Sequence, residues 1–160
     1  MTTTPEAILR AELDSAERMI FHLKRSYSQA ATLLPLSSQQ VAKLTDDEID
    51  RLDLYLSRFG KLQDFMTGKL FRALARASLE DIRQDVSLLD TLNRMEKFGI
   101  VEDQDAWLKA RLLRNAFAHE YLTDNEAIAE NINEAWALFP LLERTLRNAH
   151  RFYEQHIRRG

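Results

Sequence analysis

Residues 45–78 read TDDEIDRLDLYLSRFGKLQDFMTGKLFRALARAS and decide the fold class of this chain. The stretch begins with Thr45 and has Glu48 three residues later, which is the pattern of a helix N-terminal capping box. Apolar residues then recur at steps of three and four to the end of the stretch, which predicts one long amphipathic helix. Gly60 and Gly68 lie inside this helix, and we expect a neighbouring backbone to approach it closely there.

The same apolar spacing recurs on both sides of this stretch, between segments rich in proline, glycine or small polar residues. Pro140 lies inside the last helical pattern, so we expect a kink at that residue. The sequence therefore predicts an all-α fold, a bundle of four to five mostly antiparallel helices in a single domain over residues 1–160. The predicted helices run from Pro5 to about Leu34, from Asp46 to about Ser78, through Ile82 and Val86 to a stop at Gly99, from about Asp103 to Tyr121, and, after a break at residues 123–125, through Ile128 to Tyr153.

Composition excludes several classes of protein. The 160 residues include four glycines and three prolines, too few for a turn-rich β-sandwich, and no cysteine, which excludes disulfides, thiolate zinc sites and cysteine nucleophiles. No apolar stretch approaches the length of a membrane span, so we expect a cytoplasmic protein that does not contact a membrane. The net charge of −3 argues against a general nucleic-acid binder but leaves room for a small basic cleft.

Motifs for common cofactors and metals are absent from the sequence. It has no glycine-rich phosphate loop, no HExxH and no EF-hand loop, and its four histidines include no pair at the i, i+4 spacing. The acidic clusters at 46–48 and 102–105 fall at predicted helix starts, where the helix dipole explains them. We therefore expect neither a metal nor a cofactor.

Residues 111–121, RLLRNAFAHEY, are the most informative part of the sequence for chemistry. On a helix, Arg114 and His119 border opposite sides of one face, about 140° apart. Leu108 and Leu112 share a row with His119, so we expect that side of the helix to be covered by a neighbouring helix or by a second copy of the chain.

The pattern Arg114-x4-His119-x-Tyr121, with Asn115 directly after the arginine, resembles the motif of HEPN domains. It is most similar to the HepT-like toxins that are encoded beside a minimal nucleotidyltransferase. Residues 59–64, 68–71, 92–100 and 128–131 also look like stretches of these proteins, so the resemblance covers most of the chain from about residue 55 onward. The spacing Arg-x4-His alone carries little weight, because it recurs at Arg151 and His156.

The resemblance implies a homodimeric, metal-independent endoribonuclease, the toxin of a type VII-like toxin–antitoxin pair. Arg114 and His119 of both subunits would meet around the RNA substrate, with Asn115 in a supporting role. Tyr121 would accept AMP from the cognate nucleotidyltransferase antitoxin, which would inactivate the toxin. Apart from the resemblance, Asp64 is a weaker candidate: as a carboxylate in an apolar helix it would orient His119 or Arg114.

Simpler interpretations remain for each of these residues. Arg114 would pair with an acid on a neighbouring helix, His119 would form a hydrogen bond at a helix interface, Tyr121 would lie at the edge of the core, and Asp64 would form a surface ion pair. Two other functions also remain: a non-catalytic nucleotide-binding or substrate-binding subunit of a nucleotidyltransferase, and a structural helical module. The basic residues near the C-terminus form either a strip that guides RNA or a solvated helix end: Arg147, His150, Arg151, His156, Arg158 and Arg159.

Overall fold

The computed structural model describes residues 3–78, 87–118 and 124–158, without the side chains of residues 114–118. Within these ranges the regular structure is helical throughout, which confirms the predicted all-α class. In chain order the elements are α1 (Pro5–Ala30), α2 (Ser38–Ala42), α3 (Asp46–Phe65), a first π turn (Met66–Leu70), α4 (Phe71–Ala77), α5 (Leu88–Lys97), α6 (Gln104–Ala118), α7 (Asn125–Ala137), α8 (Phe139–Phe152) and a second π turn (Tyr153–Ile157).

The helix ends that local sequence predicts are confirmed. Thr45 Oγ1 accepts a hydrogen bond from the Glu48 backbone N–H at 3.2 Å, and Glu48 Oε1 accepts one from the Thr45 N–H at 2.9 Å. The second of these bonds, to the Thr45 backbone, is the main cause of a lowered pKa at Glu48. The α5 helix ends in a Schellman motif at Gly99, whose φ of 76° lies in the left-handed region. There the Ile100 N–H donates to the Met95 carbonyl at 2.9 Å.

One helix was missed by the sequence analysis. The polar residues after Pro35 are a predicted break, but Ser37 and Gln40 form a second capping box and begin the short helix α2. This segment is held to α7 by Asn133, whose side chain accepts from the Leu36 N–H at 2.8 Å and donates to the Leu36 carbonyl at 2.9 Å. The sequence gives no local signal for this pairing, because its partners lie 97 residues apart.

The predicted helix from Asp46 to about Ser78 is interrupted by the first π turn. Gly68 lies in that turn, and a Cβ atom built on it would have no neighbour within 4 Å. The expected close approach of another backbone is therefore wrong at Gly68. Gly60 is buried inside α3.

The kink predicted at Pro140 is confirmed as a break between α7 and α8. Leu138 separates the two helices, and Pro140 occupies the first turn of α8, where its missing N–H needs no partner. Two predicted segments fall on residues outside the described ranges: the part of the third helix with Ile82 and Val86, and the end of the fourth helix at Tyr121.

The described helices share one hydrophobic core, in which α1 packs against both α3 and α4. Arg58 on α3 donates to the His22 carbonyl near the end of α1, whereas the start of α1 packs against α4. The α1 and α3–α4 segments therefore run in opposite directions. Inside the core, the Tyr55 hydroxyl donates to the Ala135 carbonyl at 2.8 Å, and burial strongly raises the pKa of this tyrosine.

Candidate functional site

The structure places only part of the predicted site. Arg114 and Asn115 lie within α6, but their side chains lie outside the described part of the chain. His119 and Tyr121 lie outside the described residues altogether. Asp64 lies on α3, is half-buried and already has an interaction partner. The geometry among these five residues therefore stays a prediction.

The structure does show how α6, the helix that carries Arg114 and Asn115, is held. Trp107 is fully buried near the start of α6, and its Nε1–H donates to Thr67 Oγ1 at 3.0 Å. Its ring also contacts that of Phe71, with 5.0 Å between the centroids. Because Trp107 contacts residues beyond the end of α3 while α6 packs along α3, α6 runs back antiparallel to α3. The side chain of Trp107 thus defines which face of α6 is turned to the core.

The partner of Trp107 belongs to the first π turn. Thr67 is buried there, and its hydroxyl donates to the Gln63 carbonyl at 2.8 Å while accepting from Trp107. A π turn widens the backbone ladder and leaves carbonyl groups that need another donor, and Thr67 supplies one. Turns of this kind occur often at functional sites. The sequence contains no recognisable signal for it besides Gly68.

Gln63 is a polar residue that the sequence analysis did not single out. Its side chain is fully buried, and neither its amide nitrogen nor its amide oxygen has a hydrogen-bond partner in the described part of the chain. A buried amide without partners costs about 1–3 kcal/mol for each unsatisfied group. Gln63 lies one helical turn before Thr67 on α3, the helix that packs against α6.

The two sides of α6 differ in burial. Trp107, Ala110 and Leu113 are buried, whereas Leu112 keeps 68% of its surface exposed. Leu108, which shares a row with Leu112, is half-buried against the core. No neighbouring helix in the described part of the chain covers Leu112, so that expectation is wrong at this residue. Coverage by a second copy of the chain stays a prediction.

Four of the basic residues near the C-terminus are placed beside acidic or aromatic groups. This arrangement favours a solvated helix end over a strip that guides RNA. Arg147 lies 3.7 Å from Glu143, His150 Nε2 lies 2.7 Å from Glu17 Oε1, Arg158 lies 2.7 Å from Glu154, and the His156 ring lies against Phe152. Arg159 lies outside the described residues.

The acidic clusters have structural roles at helix ends. The Asp103 carboxylate caps α6 by accepting from the Ala106 N–H at 3.1 Å. Glu102 accepts hydrogen bonds from Asn148 at 3.1 Å and from Arg144 at 3.1 Å. The pKa of Glu102 is lowered chiefly by the Asn148 hydrogen bond and further by the positive charge of Arg144. Across residues 3–78, 87–118 and 124–158, no group of three His, Asp or Glu side chains is placed to hold a metal ion.

Comparisons with protein-family models, with curated proteins and with solved structures returned no match. In the part of the chain that the structure describes, no helix has both the length and the apolar character needed to cross a lipid bilayer.

Proposed function

We propose that this protein is a HEPN-type endoribonuclease similar to the HepT-like toxins, acting in the cytoplasm as a homodimer without a metal. The proposal starts from the motif Arg114-Asn115-x3-His119-x-Tyr121 on and after α6. The observation that carries it furthest is the exposure of Leu112, which helical periodicity predicts to share a row with Asn115 and His119. A large apolar side chain exposed beside the motif supports a contact with a second copy at that place.

The chemistry explains why two copies are needed. Cleavage of RNA through its 2′-hydroxyl requires a base that removes the hydroxyl proton and an acid that protonates the leaving 5′-oxygen. One chain offers one histidine in the motif, whereas a two-fold axis brings two copies of His119 to one phosphate. Because a free imidazole has a pKa of about 6.5, a neutral and a protonated copy coexist near pH 7.

Arg114 and Asn115 would act on the phosphate rather than on the protons. The guanidinium of Arg114 keeps its charge at all relevant pH values and matches a phosphate with two parallel hydrogen bonds. Two copies of Arg114 would stabilise the extra negative charge of the pentacoordinate phosphorus. Asn115 would orient either the scissile phosphate or His119. Burial of Trp107 supports this arrangement, because it holds fixed the helix on which both residues lie.

Tyr121 would provide the regulation. Its hydroxyl oxygen would form a bond to the phosphorus of an AMP group that the partner nucleotidyltransferase transfers, and the donor's leaving group would depart with the electron pair. Helical periodicity predicts that Tyr121 shares a row with Arg114, because the two residues are seven positions apart. A bulky anion there would occupy the cleft and neutralise the arginine. The same chain would then be an enzyme in one state and a modified substrate in the other.

The test is cleavage of total cellular RNA in EDTA by the wild type and by His119→Ala, both shown to be folded by circular dichroism. His156→Ala is the matched control, because it removes the histidine of the second Arg-x4-His pattern, which the structure places against Phe152. We expect fragments from the wild type and from His156→Ala only. Equal cleavage by all three proteins would place the activity in another site or in a contaminant.

Intact RNA with every protein, together with an unmodified Tyr121 in the mass spectrum, would refute the ribonuclease and favour the nucleotide-binding subunit. The dimer is tested separately by light scattering of the wild type and of Leu112→Glu. We expect Leu112→Glu to be monomeric and folded. A wild type that is monomeric at micromolar concentration would overturn the composite site.

A further inference from the structure

A groove opens between the start of α1 and the segment formed by the first π turn and α4. Its volume is about 280 Å³, close to the lower end of the range for small-ligand sites. It lies on the side of the π turn that faces α1, whereas Thr67 of the same turn faces α6. The lining residues are Pro5, Ile8, Glu12, Gly68, Lys69, Arg72, Ala73 and Arg76.

One wall of this groove carries three basic residues. Lys69, Arg72 and Arg76 follow each other at steps of three and four, so they form one row with spacings of about 4.5 and 6 Å along the helix axis. Lys69 and Arg76 are exposed, and the Lys69 ammonium lies 5.9 Å from the centroid of the Phe65 ring. Glu12 contributes the acidic group of the lining. The groove is therefore locally positive on a chain whose net charge is −3.

The remaining surface of the groove is small and apolar. Gly68 leaves it open, because a Cβ atom on this residue would meet nothing within 4 Å. Ile8, which is 41% exposed, and Pro5 form the apolar part on the α1 side. Ile8 is the one large aliphatic side chain of the lining. Each side of a stable protein interface buries roughly 800 Å², so this groove has too small an apolar surface to favour a protein partner. Such a groove matches a nucleic-acid strand, because the row of cations can bind its phosphates while a base lies flat against the small apolar surface.

We propose that this groove binds the backbone phosphates of a single-stranded RNA segment, at a distance from the bond that is cut. The proposal rests on the proposed ribonuclease function, since it names RNA as the ligand, and it adds a second contact surface on the opposite side of the first π turn from α6. Lys69 and Arg76 pair with two phosphates of the strand, and one base lies against Ile8 and Pro5. Binding here is independent of sequence, because the contacts go to phosphates.

The experiment measures binding of a fluorescein-labelled, 12-nucleotide single-stranded RNA with 2′-O-methyl groups, which a ribonuclease acting through the 2′-hydroxyl cannot cleave. Fluorescence anisotropy gives the Kd at several salt concentrations. We expect the double variant Lys69→Glu/Arg76→Glu to raise the Kd at least about tenfold. The salt dependence, as the slope of log K against log salt, should fall by about 1.4, since each phosphate contact on a single strand contributes about 0.7.

Gly68→Leu tests the shape of the groove without a change of charge. Because the position is open, the leucine should fill the groove, leave the Tm close to that of the wild type and raise the Kd at least about fivefold. The matched charge control is Lys43→Glu/Arg51→Glu, two exposed basic residues outside the groove whose reversal gives the same net charge. An equal loss of RNA binding in this control would show that the net charge of the protein, and not the groove, determines RNA binding, and would overturn the proposal.

Two further outcomes would also overturn it. Competition by free AMP at the concentrations at which the oligonucleotide competes would show a site for a mononucleotide instead of a strand. Groove variants with unchanged RNA binding but weakened binding of the partner nucleotidyltransferase would show a protein interface. The two proposals fail separately: a wild type that cleaves no RNA but binds it through Lys69 and Arg76 refutes the ribonuclease alone. A wild type that cleaves RNA, together with groove variants that bind RNA as tightly as the wild type, refutes the groove proposal alone.

Discussion

The hydrogen bond from Trp107 to Thr67 is the contact whose removal most directly tests how α6 is held. Thr67→Val replaces a hydroxyl by a methyl group of similar size. It leaves the Trp107 N–H without its 3.0 Å partner in a buried place, and it removes the 2.8 Å hydroxyl donor of the Gln63 carbonyl, which keeps the Met66 N–H. With about 1–3 kcal/mol for the buried N–H left unsatisfied and about 1 kcal/mol for the hydrogen bond lost at the carbonyl, we expect a loss of roughly 2–4 kcal/mol in the free energy of unfolding. For a chain of this length that lowers the Tm by roughly 5–12 °C.

Trp107→Phe removes the other partner. The phenyl ring keeps an aromatic contact with Phe71, whose centroid lies 5.0 Å from that of Trp107, but loses the N–H and part of the ring volume. We expect a cost of about 2–3 kcal/mol, from one hydrogen bond and a small cavity. In the double variant no indole N–H is left unsatisfied. Its cost should therefore be about 1 kcal/mol smaller than the sum of the two single costs.

The assay is urea unfolding followed by circular dichroism for the wild type, both single variants and the double variant. Thr145→Val is the matched control, because Thr145 is also buried and donates to the carbonyl four residues earlier, at 2.7 Å, within α8. We expect this control to cost less than Thr67→Val, since the Leu141 carbonyl keeps its backbone partner in α8 and no buried N–H is left unsatisfied. Single costs that add to the double cost within about 0.4 kcal/mol would refute the coupling between α6 and the π turn.

Three other predictions concern the fold. Gly99→Ala should lower the free energy of unfolding by about 1–2 kcal/mol because the φ of Gly99 is 76°. Gly68→Ala should leave it unchanged or raise it by up to about 1 kcal/mol, because a Cβ atom there meets no neighbour. Urea unfolding measures both variants, and equal effects would contradict this prediction. Asn133→Ala should cost about 1–3 kcal/mol through its two lost backbone hydrogen bonds at 2.8 and 2.9 Å, and an unchanged unfolding midpoint would contradict this. Glu102 has a lowered pKa in the folded state, chiefly because of the Asn148 hydrogen bond. Its contribution to the stability of the fold is therefore present above the unfolded pKa of about 4.5 and is lost as the pH falls through the folded pKa. The Tm difference between the wild type and Glu102→Gln should disappear in acid, and a Tm difference that grows in acid would contradict this prediction.

Helix boundaries set by neighbouring residues were the most predictable part of this structure. The capping box of Thr45 and Glu48 involves residues three positions apart, and the Schellman bond at Gly99 joins residues five positions apart, so the local sequence contains the complete interaction. The break at Pro140 is equally local, because the missing N–H belongs to that residue. The periodic apolar rows of α1 and α8 predicted their buried faces for the same reason.

The elements that were missed depend on partners far away in the chain. The helix α2 is held through Asn133, and the first π turn is stabilised by Trp107, which lies 40 residues from Thr67. A pattern of hydrophobic spacing cannot distinguish a continuous α-helix from one with a π turn, because both present nearly the same apolar row. The exposure of Leu112 was unpredictable in the same way, since its helical row looks like a covered one.

The sequence by itself determined the all-α class, most of the helix ends and the choice of Arg114, Asn115, His119 and Tyr121 as candidate site residues. These follow from periodicity, capping and a motif, which are properties of short segments. Only the tertiary structure decided that Trp107 lies against the π turn, that Leu112 lies at the surface and that Ile8 lies across a groove from Arg76. The physical reason is that packing energy depends on which faces of different helices meet, and that choice involves side chains many residues apart.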